Sequence, residues 1–284
     1  MNAAAARRRA RERRRRPGAQ SMKRGRRRLG PLRALIAVVA LGVGILATYE
    51  VWTWPDVAAL DRQRPATTAF IERYRAEQRA RGRSDRIEWR WVSYAAIAPS
   101  LKRAVLAAED ANFFSHRGFD VGEIEKVLRE ALEEGEIPRG ASTISQQLAK
   151  NLWLSPARNP YRKVKEAVLT WQLERYLAKR RILELYLNTV ELGPGIFGAE
   201  AASRRYFGKA AADLSAAEAA QLAAALPNPG AWHPGAPSRA YQRRVAMILR
   251  RMDRSDVLSK RLGRAAPALP EGAIYSTRVR FERT

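Results

Sequence analysis

Between Ala34 and Tyr49 lies ALIAVVALGVGILATY, sixteen residues without a charge. A run of this kind leaves few choices, because it must be covered by protein or lie in lipid. Leu29 to Leu32 extend it toward the roughly 20 residues that span a bilayer, with Arg33 snorkelling to the surface. Residues 1–33 hold 14 Lys and Arg against the single acid Glu12. This is the charge asymmetry of an anchor whose basic side stays in the cytoplasm. Trp52 and Trp54 fall where an aromatic belt would mark the far interface. A cleavable signal peptide is the rival reading, but no convincing A-x-A cleavage site precedes Trp52 and a 33-residue basic segment is long for one.

The anchor also changes how the net charge of +25 is read. RRRARERRRR alone suggests nucleic-acid binding. Next to a span it is better read as a topology signal with affinity for anionic lipid. With no cysteine in the chain, disulfides, thiolate catalysis and cysteine-ligated zinc are excluded.

Beyond the anchor, no alternating β-branched run is long enough for a sheet domain, so the remainder reads as mainly α. A helix is expected over Arg62–Arg83 with Phe70, Ile71 and Tyr74 on one side. RIEWRWVSY is a short extended segment. Ser100 is expected to cap a helix that carries Glu109 and Asp110 in its last turn. A further helix ends at Gly135, and Thr143 with Gln146 forms a capping box for another, through Asn151. One long helical region is expected from Arg162 to Val190, until ELGPGIFG breaks it. Ser215 with Glu218 caps a helix stopped by Pro227, and a basic helix follows Ala240.

Two features carry chemistry. Gln146 and Gln147 share a helix face with Lys150, near a helix N-terminus at Ser142 and Thr143 that suits an anion. ARNPYRKVKE adds Arg158, Arg162, Lys163 and Lys165. Together these segments could hold a phosphate or pyrophosphate. Glu109, at a helix C-terminus beside Asp110, should resist ionisation through dipole and like-charge repulsion, as a general base near neutral pH must. One histidine, His116, follows closely, but without a partner at ligand spacing it reads as structural.

EDANFFSHRG, GASTISQQLAKN, RKVKE, RRILELYLN and GAEAASRRYFGK occur in the order and spacing of one family. Over roughly Val92 to Pro234 the chain resembles the peptidoglycan glycosyltransferases, specifically the monofunctional biosynthetic transglycosylases of bacteria. The resemblance implies a lysozyme-like glycosyltransferase domain with a small membrane-associated lobe, preceded by one transmembrane helix. It implies a division into 1–33 basic tail, 34–54 anchor, 55–91 connector, 92–250 glycosyltransferase domain and 251–284 C-terminal tail. The implied reaction transfers the undecaprenyl-pyrophosphate-linked glycan to the GlcNAc 4-hydroxyl of lipid II, forming β-1,4 bonds with inversion.

By the same resemblance Glu109 is the catalytic base and Glu166 the second catalytic acid. Lys150, Arg158 and Lys163 hold the donor pyrophosphate, and Asp110, Ser142, Thr143, Gln146 and Gln147 line the substrate site. The donor-mimicking phosphoglycolipid moenomycin should bind there. The implied partners are lipid II and lipid-linked glycan, membrane lipids, and cell-wall synthesis or division proteins, with no nucleic acid. No cofactor is required, although a divalent cation such as Mg could assist, and no dedicated metal site is expected. The absence of any S-x-x-K sequence argues against a transpeptidase module. The expected location is the bacterial inner membrane, with the N-terminus cytoplasmic and the catalytic domain outside. A lysozyme-type hydrolase and a membrane-anchored nucleic-acid-binding protein are the alternatives.

Overall fold

The structure, a computed structural model, describes residues 30–122, 125, 142–154 and 159–254. The chain divides after Trp54 into two units. In the first, helix α1 (Gly30–Trp52) covers the apolar run. Its 20-residue stretch Arg33–Trp52 has a mean hydropathy of 2.1. At about 1.5 Å per residue, this matches the roughly 30 Å of a hydrocarbon core.

The second unit is mainly helical, as composition and pattern predict. Helix α2 (Ala69–Ala80) starts later than Arg62, because the Thr68 side chain caps it by accepting from the Ile71 N–H at 3.1 Å. Ile71 is fully buried. Strand β1 (Glu88–Trp89) lies in the expected extended segment. It pairs parallel with β3 (Ile196–Phe197), which pairs antiparallel with β2 (Glu191–Gly193), giving the order β1-β3-β2.

Helix α3 (Pro99–Glu109) begins with Pro99 at a first-turn position, where its missing N–H costs nothing. Ser100 is therefore not its cap. The Ser100 hydroxyl instead donates to the Leu214 carbonyl at 2.5 Å, tying α3 to the segment before α8 (Ala216–Ala225). Glu109 is the last helical residue and Asp110 the C-cap. The expected helix ending at Gly135 lies largely outside the described residues.

Helix α4 (Ile144–Trp153) has the predicted capping box, with Thr143 and Gln146 exchanging bonds. The long helical region expected from Arg162 to Val190 is two helices, α5 (Pro160–Tyr176) and α6 (Lys179–Thr189). Leu177 and Ala178 adopt extended backbone between them. No glycine or proline marks the break. At the break Leu177 is buried, and Lys179 reaches back 2.6 Å to Glu174. Helices α7 (Ala199–Phe207) and α9 (Arg239–Arg254) complete the unit, and the capping box of α8 forms as expected.

Two packed groups set the architecture. The alanine-rich α8, with Ala219, Ala220, Ala223, Ala224 and Ala225 fully buried, packs against both α3 and α9, which also meet each other. Helix α4 packs against α5 and α6. Asn188, at the end of RRILELYLN, staples the region before α3 to α6. Its amide accepts from the Val92 N–H at 2.9 Å and donates to the Val92 carbonyl at 3.0 Å. The Trp89 indole donates to its carbonyl at 2.6 Å. A Cβ at Gly198, where φ is 81°, would lie 2.6 Å from that same carbonyl oxygen, so only glycine fits the turn into α7.

Candidate active site

Glu109 ends α3 with its carboxylate between three other helices. The Gln147 amide, on α4, donates to Oε2 at 2.9 Å. The Tyr186 hydroxyl, on α6, donates to the Gln147 Oε1 at 2.8 Å and so fixes which end of that amide faces Glu109. The Arg244 guanidinium, on α9, donates to Oε1 at 2.7 Å. Burial pushes the Glu109 carboxyl above the usual range, against the opposing pull of Gln147, Arg244 and Lys150.

The cause differs from the expected one. Asp110 turns its side chain away, accepting the Ile144 N–H at 3.0 Å and facing the His116 Nε2 at 3.0 Å. The His116 Nδ1 accepts the Gly118 N–H at 3.1 Å, which leaves its proton on Nε2, pointed at Asp110. Asp110 and His116 thus form a buried brace that anchors the N-terminus of α4 beside the end of α3. The Thr143 hydroxyl, donating to the Gly118 carbonyl at 2.6 Å, closes the same brace. Thr143 and Gln146 are buried and bonded to each other and their surroundings, whereas Ser142 is exposed.

Lys150 lies one helical turn from Gln147, within electrostatic reach of both Glu109 and Glu166. Burial lowers its pKa, and Glu166 opposes that shift most strongly. Glu166 is buried and takes two cations from its own helix, Arg162 at 3.0 Å and Lys163. It therefore gathers Arg162 and Lys163 into one cluster. Lys163 remains half-exposed while bonded to it. Arg158 lies outside the described residues.

Among the described residues, Asp110, His116 and Asp120 offer three ligand atoms within 4.8 Å of one another. The set does not fit a resident divalent cation. Both His116 nitrogens are committed, Nδ1 to Gly118 and Nε2–H to Asp110, and Asp120 accepts from the Asn112 amide at 3.0 Å.

The structure thus brings Glu109, Gln147 and Lys150 together, and groups Glu166 with Lys163 beside Lys150. Sequence reasoning missed Arg244 and Tyr186. Each sits in a helix whose pattern explains it as ordinary surface or core, and nothing in the spacing links either to Glu109.

The site sets a desolvated carboxylate beside a gathered set of cations on a mainly helical scaffold. Comparison with known proteins gives the family. A transglycosylase family model matches residues 76–253, more than half of the chain. The chain is 48% identical over 214 residues to the biosynthetic peptidoglycan transglycosylase of Thiobacillus denitrificans, covering 75% of this chain and 92% of that protein. It is 50% identical over 198 residues to the Azoarcus protein of the same name, 69% and 84% respectively. The Laribacter hongkongensis counterpart is 42% identical over 222 residues, 78% and 97%. The chain belongs to the transglycosylase family.

Proposed function

We propose that this chain is a membrane-anchored peptidoglycan glycosyltransferase that polymerises lipid II. The observation that carries the reading is the Glu109 carboxyl, held between Gln147 and Arg244 with its proton affinity raised by burial, next to Lys150. Burial raises the proton affinity of this carboxylate above the ordinary range, which favours its acting as a proton acceptor. In the proposed step, Glu109 takes the proton of the GlcNAc 4-hydroxyl of lipid II as that oxygen attacks the anomeric carbon of the growing glycan. The C–O bond to undecaprenyl pyrophosphate breaks, and the α-linkage becomes β-1,4 with inversion. Lys150 and the cluster gathered by Glu166, with Arg158, stabilise the charge that builds on the departing pyrophosphate.

A glycan-cleaving hydrolase would use carboxylates too, but has no need of such a cluster. We assign no transpeptidase activity and no required cofactor. The anchor supports insertion in the inner membrane with residues 1–33 cytoplasmic and the catalytic unit outside. Tyr161, Val164, Val168 and Trp171 lie exposed along one face of α5, which suits contact between this region and lipid.

The decisive experiment is polymerisation of purified lipid II by wild type and Glu109→Gln, with products resolved by size. The variant should lose roughly 100-fold or more in rate, the scale of a positioned proton acceptor. It should still bind moenomycin, whose contacts belong to the cationic groups. Near-normal polymerisation by the variant would remove Glu109 as the base and make Glu166 the next candidate.

A further inference from the structure

We infer that Arg244 is a positioning residue for the reaction: by gripping Oε1 of Glu109 from the C-terminal helix, it fixes the orientation of the base and favours its ionised form. The inference rests on Glu109 being the base.

The geometry is specific. Arg244 Nη2 lies 2.7 Å from Oε1, and the Glu109 side chain is only 13% exposed. The Gln147 amide holds the other oxygen, so the two grips together leave the carboxylate one orientation. The dependence is mutual. Arg244 Nε is buried and has no hydrogen-bond partner, so the Nη2 contact with Glu109 is what orients the guanidinium. About two turns further on, Arg251 donates to the Ala107 carbonyl at 3.2 Å, clamping α9 along the last turns of α3. This second contact sets the register that lets Arg244 reach the carboxylate.

The other charged groups around Glu109 do not substitute for Arg244. Lys150, on α4, acts at longer range and is shared with Glu166. Tyr186, on α6, has its phenol pushed well above its ordinary pKa by burial and then by Glu109 and Asp110, so it is a neutral donor. Asp110, next in the chain, is turned to His116 and Ile144. Arg244 is therefore the one full positive charge in direct contact with the carboxylate among the described residues.

The test is the pH–rate profile of lipid II polymerisation for wild type, Arg244→Gln and Arg244→Lys. The acid limb of such a profile reports the group that must lose a proton. An adjacent arginine lowers a carboxyl pKa by about 1 to 3 units, so Arg244→Gln should move this limb upward by about that much. Arg244→Lys, keeping the charge but losing the fork, should move it less and recover part of the rate. KM for lipid II and moenomycin affinity should stay within about twofold of wild type, because a positioning residue acts on the chemical step.

A fall in rate with the limb unmoved in both variants would make Arg244 a packing residue and overturn the inference. Weakened moenomycin binding and a raised KM, again with the limb unmoved, would overturn it in favour of direct contact with the donor. Both results leave Glu109 as the base so long as Glu109→Gln is inactive. Activity in Glu109→Gln refutes that reading separately. Thermal unfolding of each variant separates loss of fold from loss of positioning.

Discussion

Tyr186→Phe removes a single oxygen from the interior and tests the chain of hydrogen bonds behind Glu109, the proposed base. Tyr186 is fully buried, and its ring fits Phe without a cavity. What disappears is the 2.8 Å bond to Gln147 Oε1. A net hydrogen bond contributes about 0.5–1.5 kcal/mol. A loss near 1 kcal/mol should lower the melting temperature by about 2–4 °C in a unit of this size.

The larger effect falls on Glu109. Without the phenol to hold its carbonyl, the Gln147 amide can turn that oxygen toward the carboxylate and withdraw the 2.9 Å donor. If about 1.4 kcal/mol of the donor's support for the reacting carboxylate is lost, polymerisation slows about tenfold. The sign on pH follows from the same contact. Gln147 lowers the pKa of Glu109, so its withdrawal raises that pKa and moves the acid limb of the rate profile upward. Initial rates on lipid II across pH, with thermal unfolding alongside, read both effects. A variant within about twofold of wild type at every pH would refute the relay through Gln147.

Lys150→Ala should weaken moenomycin binding and donor use by about 1.5–3 kcal/mol, the size of a charge-assisted contact, measured by inhibitor titration. Unchanged affinity would place the anion elsewhere. Protease added to spheroplasts should remove the catalytic unit while sparing a tag at the N-terminus, and protection of both ends would contradict the proposed orientation.

The anchor was legible because sixteen uncharged residues behind a basic tail admit few structures. Capping boxes at Thr143 and Ser215 were legible because their partners lie three residues away. Local chemistry writes itself into adjacent letters. The break at Leu177–Ala178 was not legible: burial of Leu177 and the meeting of Lys179 with Glu174 accompany it, and no turn-forming residue stands there. The site divides the same way. Glu109 and Lys150 stand in recognisable blocks, and Gln147 lies four residues beyond Thr143. Arg244 has no such neighbour to betray it: its helix reads as a basic amphipathic segment, and its partner lies 135 residues earlier. Asp110 was read as a charge acting on Glu109, whereas its orientation toward Ile144 and His116 became visible only in three dimensions.

That separation has a consequence for how the molecule is made. A chain synthesised from its N-terminus delivers α3 long before α9, so the carboxylate at Glu109 emerges without the cation that later grips it. Until Arg239–Arg254 arrives and docks, α3 exposes the apolar face that α9 covers. Contacts of such long sequence separation form late, because the entropy of closing the loop must be met before they are gained. The Glu109–Arg244 contact is therefore expected among the last parts of the fold to be completed. A polypeptide interrupted before Arg239 could hold both carboxylates and the lysine of α4, yet lack the grip that orients Glu109.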